Sequence, residues 1–240
     1  MYKNTDEKKF NENQVEGRNA VLEVFKSGGD IEKIIVAKGN TEGTIRRIMA
    51  MAADKGVVLQ QVERKRLDEM SQTKNHQGVI ALVSSHSYVS VEDILEKAKN
   101  KGKDPFIIIL DEITDPHNFG AILRTADAAG ADGVIISKRR SVGLTATVAK
   151  TSAGAIEYVP VAKVTNIANT IEDLKKAGLW IACTDMDGKS YFESDLKGPI
   201  ALVIGSEGDG VSRLVKEKCD FTVSIPMFGQ ISSLNASVAA

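Results

Sequence analysis

The sequence predicts an α/β protein of two domains, in which a small N-terminal domain precedes a larger domain with a mostly parallel β-sheet. Its 240 residues, of which 42% are hydrophobic, suffice for a small domain plus a medium one. Apolar runs recur between helical patterns along the chain. In the C-terminal part these runs are apolar throughout rather than alternating, which is typical of strands that helices cover on both faces.

The N-terminal part predicts a compact domain of alternating helices and strands. Residues 1–14 are polar and charged, so we expect a disordered tail there. The domain itself is predicted over residues 15–86. Its predicted elements are a helix over 17–27, the strand IEKIIVA (31–37), a helix around 45–52, the strand VVLQQVE (57–63), a short charged helix around 67–70 and the strand GVIALVS (78–84).

A helix that begins after Ser90 is predicted to join the two domains. Ser90 with Asp93 resembles a capping box, and the sequence VEDILEKAKNKG that follows ends in a Lys-rich stretch. We therefore expect a linker helix over 87–104, with the domain boundary near residue 100.

The second domain, over residues 105–240, contains the apolar runs that predict the parallel sheet. Because ligands bind beyond the carboxyl ends of strands in a doubly wound sheet, the residues that follow each strand are the candidates for a functional site. The predicted strands are FIIIL (106–110), GVII (133–136), LWIACT (179–184), ALVIG (201–205) and FTVSIP (221–226).

The first candidate motif follows FIIIL, where the loop DEITDPHN leads into a helix predicted to begin near Asn118. An isolated Asn at such a position is more often an N-cap than a catalytic residue. Arg124 lies six residues further on, between apolar neighbours. An arginine there either extends its charged end to solvent or binds an anion, and its guanidinium suits a phosphate.

The second motif is GSEGDG, residues 205–210, directly after ALVI. Its glycine spacing differs from the dinucleotide-binding fingerprint, and it lacks the Lys-Ser or Lys-Thr of a phosphate loop, which disfavours a nucleotide-dependent dehydrogenase. Glycines allow backbone to approach a ligand closely, and Glu207 has few structural reasons to lie at a strand end. A plain glycine-rich turn is the alternative interpretation.

The third motif is IPMFGQISSLNAS, residues 225–237. A predicted strand ends at Pro226, and polar Ser233 and Asn235 then alternate with apolar residues before another helix. Capping of that helix by Ser233 or Asn235 is the alternative to a functional role.

Taken together, the order and spacing of the three motifs resemble the SpoU branch of the SPOUT methyltransferases. The resemblance covers residues 106–240 and includes the segments DPHNFGAILRTADAAGADGVI and EYVPVAKVTNIA. The N-terminal segments VEGRNAVLEVF and IEKIIVAKG resemble the small L30e/L7Ae-type RNA-binding domain of bacterial enzymes that methylate a guanosine of 23S ribosomal RNA.

The resemblance implies S-adenosylmethionine-dependent methylation of a ribose 2′-hydroxyl in RNA, with a guanosine of 23S rRNA as the expected target. The alternatives are a tRNA 2′-O-methyltransferase and a non-catalytic RNA-binding ribosome-assembly factor of the same fold. The resemblance also implies a trefoil knot in the C-terminal domain and a homodimer with the cofactor sites near its interface. Only ASVAA follows Asn235, whereas relatives carry this helix further, so we expect either missing residues or a shortened dimer and knot element.

The resemblance also implies roles for individual residues. An arginine holds its proton at any ordinary pH, so our hypothesis is that Arg124 binds the phosphate beside the target ribose and stabilises the developing alkoxide, while Glu207 orients Arg124 or Asn118. The positions that match the family's catalytic residues are Asn118, Arg124, Glu207, Ser233 and Asn235. Those that match its cofactor-binding residues are Thr184, Gly205, Ile225, Met227 and Leu234.

The composition sets further expectations. With 31 Lys and Arg against 32 Asp and Glu, affinity for RNA must come from local basic clusters. No uncharged apolar run approaches the length of a membrane span and the N-terminus lacks an apolar signal segment, so we expect a cytosolic protein without a membrane partner. The three histidines lack metal spacing, so we expect no metal, and buried reduced thiols are expected for Cys183 and Cys219. Candidate RNA contacts, with a solvated charged face as the alternative, are Arg64, Lys65 and Arg66, and Lys138, Arg139 and Arg140.

Overall fold

The computed structural model describes residues 13–40, 43–230 and 233–240. Residues 1–12 of the predicted disordered tail therefore lie outside the described residues. The chain divides into two compact units, unit 1 (Met1–Ser87) and unit 2 (Tyr88–Ala240). Within the described ranges, no helix has both the length and the apolar character needed to cross a membrane.

Unit 1 is a four-stranded sheet with three helices. The strand order is β1-β4-β2-β3, with β2 parallel to β3 and β4 antiparallel to both β1 and β2. The strands are β1 (Gln14–Glu16), β2 (Ile31–Ala37), β3 (Val58–Val62) and β4 (Val79–Val83). The helices are α1 (Arg18–Ser27), α2 (Gly43–Asp54) and α3 (Arg64–Met70).

The unit 1 core explains why these segments fold as they do. Helices α1 and α2 bury Val21, Phe25, Ile45 and Ile48, whose spacing places them on the inner side of each helix. Leu67 of α3 belongs to a second cluster with Ile35 and Ile80 of the sheet. Strand β1 was not predicted, because its three residues carry no apolar alternation and pair with β4 only in the folded unit.

Unit 2 confirms the predicted α/β class with a mostly parallel sheet. All strand pairs in its six-stranded sheet are parallel, in the order β10-β8-β9-β5-β6-β7. The strands are β5 (Phe106–Leu110), β6 (Gly133–Ser137), β7 (Val161–Val164), β8 (Trp180–Ser190), β9 (Ile200–Ile204) and β10 (Phe221–Ser224). The helices are α4 (Val91–Asn100), α5 (Pro116–Ala129), α6 (Ala146–Thr151), α7 (Ile167–Lys176), α8 (Arg213–Lys218) and α9 (Ala236–Ala239).

The helix predicted as a linker over 87–104 is part of unit 2, so the boundary lies at Ser87 rather than near residue 100. The Ser90–Asp93 capping box forms as the sequence predicts, and it starts α4. Ile94 is fully buried in a unit 2 core cluster. A Cβ placed on Gly133 of β6 would lie 2.6 Å from Ile94 Cδ1, so Ile94 packs directly against the sheet. The apolar face of α4 therefore packs on the sheet. The Lys-rich end of the helix had led to its prediction as a linker.

Two strands of unit 2 differ from the prediction. Strand β7 was missed, because it has only four residues and directly follows Pro160. Strand β8 continues beyond Thr184 to Ser190, and this polar extension pairs with β10 across a change of register. Its sequence lacks the apolar character by which the other strands were recognised.

The strand order defines a topological switch point between β5 and β9. The chain runs from β5 through β6 to β7 on one side, whereas β9, β8 and β10 lie on the other side. Because every strand is parallel to its neighbours, the carboxyl ends of β5 and β9 lie at the same edge of the sheet. This edge is where open α/β sheets bind ligands.

Both cysteines are free thiols, as predicted, although only Cys183 is fully buried and Cys219 is half-buried. A hydrogen bond with the Cys183 thiol, together with burial, raises the pKa of the Cys219 thiol far above its ordinary value.

Candidate active site

Three polar side chains from three separate segments meet beyond the carboxyl edge of the unit 2 sheet. Asn118 Nδ2 donates a hydrogen bond to Glu207 Oε1 at 2.8 Å. Asn235 Nδ2 donates to Asn118 Oδ1 at 3.0 Å and also to Glu207 Oε1. We call these residues the amide–carboxylate cluster. It joins one residue from each of the three motifs at the switch point between β5 and β9.

Asp115, rather than Asn118, caps the helix that carries the first motif. The Asp115 carboxylate accepts hydrogen bonds from the backbone N–H groups of His117 (2.6 Å) and Asn118 (3.0 Å). Helix α5 thus begins at Pro116, a favoured first helical residue, and not near Asn118. The interpretation of Asn118 as an N-cap is therefore wrong, and its side chain is available to the cluster.

Glu207 lies on a closed turn after β9. Ser206 and Gly210 exchange two backbone hydrogen bonds, of 3.0 and 3.1 Å, across this turn. Gly205 is buried, and a Cβ there would overlap the backbone of Gly210 and Val211. Gly205 is thus needed for the chain to fold back on itself. This structural role is additional to its predicted contact with the cofactor.

Asp111 fixes the far end of the same turn. It directly follows β5 and is 5% exposed, and its Oδ2 accepts a hydrogen bond from Ser212 N at 2.8 Å. Asp111 was not among the residues predicted from the sequence to form the site. An acidic residue immediately after a fully apolar strand was the signal that could have identified it.

Asn235 has two roles, because its side-chain oxygen accepts hydrogen bonds and its side-chain nitrogen donates them. Its Oδ1 accepts hydrogen bonds from Ser237 N at 3.0 Å and from Ser237 Oγ at 2.6 Å, which caps α9. Its Nδ2 donates into the cluster. The capping interpretation of Asn235 is therefore confirmed, and it coexists with membership of the candidate site.

The hydrogen bonds leave part of Glu207 available to a ligand. Its Oε1 receives the two amide groups and, at 3.4 Å, the backbone N–H of Ala236. Across the described ranges, no residue donates a hydrogen bond to its other oxygen, Oε2. The cluster thus holds a carboxylate in place and keeps one acceptor open towards solvent.

Arg124 and Ser233 are not part of the cluster. Arg124 is exposed on α5, about 120° around the helix from Asn118. It makes no hydrogen bond or ion pair with any residue that the structure describes. Ser233 is likewise exposed and outside the cluster. The structure therefore pairs Glu207 with Asn118, one of the two partners that the sequence hypothesis named, and not with Arg124.

The predicted cofactor residues lie within β8, directly after β9 and β10, and before α9. Thr184 Oγ1 donates to Val203 O at 2.9 Å and so links β8 to β9. Three large apolar side chains, those of Ile225, Met227 and Leu234, stay more than a third exposed. Exposed apolar side chains suit the two apolar faces of the adenine of S-adenosylmethionine.

Each of the two predicted basic clusters has one side chain that pairs with a carboxylate. Arg64, Lys65 and Arg66 are all exposed in the first turn of α3, where Arg66 pairs with Glu69 at 3.1 Å. Lys138, Arg139 and Arg140 follow β6. Arg140 Nη1 lies 2.9 Å from Glu112 Oε1, and this contact raises the pKa of Arg140 above its ordinary value. Two of the six predicted RNA contacts, Arg66 and Arg140, are thus already engaged by carboxylates.

A second ion pair lies close to the predicted cofactor residues. Lys216 Nζ is 2.6 Å from Asp185 Oδ2, and this contact lowers the pKa of the Asp185 carboxyl. Asp185 directly follows Thr184 and is a further polar group that was not predicted from the sequence. No group of His, Cys, Asp and Glu suited to a metal ion occurs within residues 13–40, 43–230 and 233–240.

Comparisons with known proteins show what the chain is similar to. Residues 105–240 match the model of the SpoU rRNA Methylase family. Residues 14–89 match a model described as RNA 2′-O ribose methyltransferase substrate binding. A Bacillus subtilis protein, YacO, which is assigned by name to the TrmH family of tRNA/rRNA methyltransferases, is 50% identical over 225 residues, covering 93% of this chain and 90% of the relative.

Solved structures share the fold. The AdoMet-bound rRNA methyltransferase from Sinorhizobium meliloti is 24% identical with a TM-score of 0.58, over 94% of this chain and 82% of that one. The TrmH/SpoU tRNA modifying enzyme of A. aeolicus is 29% identical with a TM-score of 0.52, over 62% of this chain and 77% of that one.

Proposed function

Because the chain belongs to the SpoU rRNA methylase family and is an S-adenosylmethionine-dependent RNA methyltransferase, we propose that it methylates the ribose 2′-hydroxyl of a guanosine in 23S ribosomal RNA. The observation that carries this proposal is the amide–carboxylate cluster at the switch point. It brings together residues of all three motifs at one edge of the sheet.

The reaction needs a ribose oxygen in line with the methyl group and a way to release the hydroxyl proton. S-adenosylmethionine supplies the methyl group on a positively charged sulfur. We propose that Thr184, Gly205, Ile225, Met227 and Leu234 hold this cofactor.

In this proposal, the cluster positions the ribose. Asn118 and Asn235 fix Glu207 through Oε1, so that Oε2 accepts the hydrogen bond of the 2′-hydroxyl, orients its oxygen and takes up its proton as the methyl group is transferred. Arg124, which is exposed and has no partner among the described residues, binds the adjacent phosphate and stabilises negative charge as it develops on the ribose oxygen.

Two observations bear on the alternatives. The similarity to the A. aeolicus tRNA modifying enzyme covers only 62% of this chain, whereas a substrate-binding domain model matches residues 14–89 as well. An additional substrate-binding domain favours a large ribosomal substrate over tRNA. The assembled cluster argues against a non-catalytic assembly factor, because a protein that only binds RNA has no need of it.

The experiment that tests the proposal is a map of 2′-O-methyl groups in ribosomal and transfer RNA from cells with and without this protein. We expect one guanosine of 23S rRNA to lose its mark. If methyl groups are lost only from tRNA, the substrate is tRNA and not 23S rRNA. If neither RNA changes and calorimetry detects no binding of adenosylmethionine, the non-catalytic assembly factor is favoured. The cytosolic location and the trefoil knot stay predictions.

A further inference from the structure

Two neighbouring loops of unit 2 are joined at the edge of the sheet that carries the amide–carboxylate cluster. The first loop, residues 111–115, follows β5 and leads into α5. The second loop, residues 138–145, follows β6, which is parallel to β5 and adjacent to it. Both loops therefore leave the sheet at the same edge, where ligands bind in sheets of this type.

An ion pair and a backbone hydrogen bond hold these two loops together. Arg140 Nη1 of the second loop lies 2.9 Å from Glu112 Oε1 of the first. The next residue of the first loop, Ile113, is 3% exposed, and its carbonyl accepts a hydrogen bond from Val142 N at 2.9 Å. The ion pair thus continues a contact that is buried on one side, and only 32% of the Glu112 side chain is exposed.

Both members of the ion pair have left-handed backbone, with φ 60° at Glu112 and φ 56° at Arg140. This conformation is costly for a residue other than glycine, and it persists only where the surrounding structure enforces it. Glycine would relieve the strain at either position, but it would also remove the ion pair. The presence of a glutamate and an arginine at these two positions therefore favours a role for the pair itself.

Further contacts hold the first loop at its two ends. Asp111, at its start, accepts a hydrogen bond from Ser212 N at 2.8 Å. Just beyond its end, Pro116 O accepts a hydrogen bond from Thr151 Oγ1 at 3.2 Å. The contacts with the second loop lie between these two anchors, so they fix the path of the middle of the loop.

The path of the first loop determines where Asn118 lies. Asp115, three residues after Glu112, caps α5 by accepting hydrogen bonds from the backbone N–H groups of His117 and Asn118. The Asn118 side chain then reaches Glu207 Oε1 at 2.8 Å. A shift of the loop would move the first turn of α5 and the Asn118 amide with it, whereas Glu207 lies on a separate turn after β9.

We infer that Glu112 and Arg140 are positioning residues, whose ion pair holds the Asn118 amide at the place that methyl transfer requires. The inference rests on the proposed function, because it gives the pair a role in the cluster that orients the ribose. It also separates Arg140 from the other basic residues of its cluster, since its guanidinium is bound to a carboxylate of the protein.

Glu112→Asn and Arg140→Asn in the full-length chain test this inference. Asparagine accepts left-handed backbone more readily than either native residue, so each variant breaks the ion pair without new strain. Arg213→Asn is the matched control, because Arg213 is an exposed arginine that pairs with Glu217 on α8. The single-turnover rate at saturating RNA and the RNA affinity are measured separately, with unmodified 23S rRNA and unmodified tRNA as the probes.

We expect both variants to lower the single-turnover rate by the same factor, roughly tenfold, because a misplacement of about 1 Å at a reacting group can cost up to about 100-fold. Their RNA affinity should stay within about twofold of the wild type. The double variant should be no slower than either single variant, because the two residues act as one pair. Arg213→Asn should keep both the rate and the affinity.

The opposite result is equally well defined. If Arg140 binds RNA instead, Arg140→Asn weakens RNA binding, whereas Glu112→Asn frees the guanidinium and strengthens it. Changes of opposite sign in RNA affinity, with unchanged rates at saturating RNA, would overturn the inference. Losses of rate that multiply in the double variant would overturn it as well.

Amide hydrogen exchange tests the position of the loop without any activity. The N–H groups of His117 and Asn118 should exchange faster in Glu112→Asn and in Arg140→Asn than in the wild type, because their Asp115 cap lies on the displaced loop. Exchange at the wild-type rate in both variants would overturn the inference, whichever RNA is methylated.

Asn118→Ala and the choice of RNA separate this inference from the proposed function. If the wild type transfers methyl groups to tRNA alone, the proposed substrate is wrong, and the same comparison of variants on tRNA decides the inference. If Asn118→Ala is slow on 23S rRNA while Glu112→Asn and Arg140→Asn keep the wild-type rate, the inference is wrong and the proposed function stands.

Discussion

Glu207 is the residue whose environment most constrains the proposed chemistry. Two asparagine amides and a backbone N–H share its Oε1, and its Oε2 is left open to solvent. A glycine-rich turn does not itself need a carboxylate at this position, and the hydrogen bonds hold the Glu207 side chain in one orientation. The Glu207 carboxylate is therefore already oriented to accept a hydrogen bond from a ligand.

Glu207→Gln should lower the single-turnover rate of methyl transfer roughly 100-fold or more, because the variant loses the charge that orients the hydroxyl. Adenosylmethionine affinity, measured by calorimetry, should change less than about twofold if Glu207 contacts only the ribose. Asp209→Asn, in the same exposed turn, is the control and should keep the wild-type rate. Equal losses in the two variants would show that the charge of the turn matters and the position of Glu207 does not.

Arg124→Lys tests the role of the guanidinium. A lysine keeps the charge but not the forked geometry that grips a phosphate, so both RNA affinity and turnover should fall, by roughly tenfold in turnover. The two quantities are measured separately, with Arg213→Lys on exposed α8 as the control. Unchanged RNA binding together with unchanged turnover would refute the role proposed for Arg124.

Glu16 makes the stability of unit 1 depend on pH in the acidic range, because hydrogen bonds from Ser71, Gln72 and Thr73 stabilise its charged form. Its pKa is about 2 in the folded protein against an ordinary 4.5, so its contribution is complete above pH 4.5 and disappears as the pH falls from 4.5 to 2. Amide hydrogen exchange in unit 1 should therefore show Glu16→Gln less stable than the wild type at pH 7 and nearly equal to it at pH 2. A difference that is the same at both pH values would mean that the carboxylate charge does not matter.

At the scale of elements, α5 depends on a glycine where it meets α6. A Cβ on Gly120 would lie 2.7 Å from Thr151 Cβ and 2.9 Å from Ser152 N. The loop and helix that carry Asn118 can approach α6 only because position 120 has no side chain. Gly120 lies in the first motif, but its sequence alone indicates neither the neighbour nor the distance.

Gly120→Ala should destabilise unit 2 by about 1 to 3 kcal/mol, since the overlap outweighs the gain of about 1 kcal/mol that alanine brings inside a helix. Gly43→Ala at the start of α2, where a Cβ would have no neighbour within 4 Å, should be neutral or stabilising. Denaturant unfolding of both variants measures the difference. A Gly120→Ala protein at least as stable as the wild type would show that α6 moves aside at little cost.

Elements with strong apolar patterns were predictable and those formed by tertiary contacts were not. FIIIL and IEKIIVA became strands because their apolar side chains are buried on the sheet. The three-residue β1 and the polar half of β8 exist because neighbouring strands offer hydrogen bonds, which no local pattern indicates. The start of α5 was misplaced because Asp115 and Asn118 are both good caps, and sequence does not tell which will be used.

At the scale of the whole molecule, the sequence placed all three motifs at strand ends, and the parallel sheet brings those ends to one edge. That much of the site was predictable from topology rules. The contacts within the site were not, because residues 89 and 117 positions apart form hydrogen bonds only through the folded sheet. The knot was likewise implied by family resemblance, since physical rules alone exclude threaded chains.

The predicted homodimer is also a property of the whole molecule. Several large apolar side chains stay exposed near the C-terminal end, among them Phe228 at 97% and Val238 at 67%. A second copy of the chain would remove such surface from water. Sedimentation equilibrium should give the mass of two chains in preparations that transfer methyl groups, and a fully active single chain would exclude this assembly.

Because Asn118 and Asn235 both donate hydrogen bonds to Glu207, the site is sensitive to deamidation of either asparagine. Asparagine side chains lose ammonia slowly in warm water and become aspartates. At either position this change replaces a donor with a second negative charge that faces Glu207, while the buried cores of both units are untouched. Prolonged mild heating should therefore abolish the activity of a protein that still melts at its original temperature.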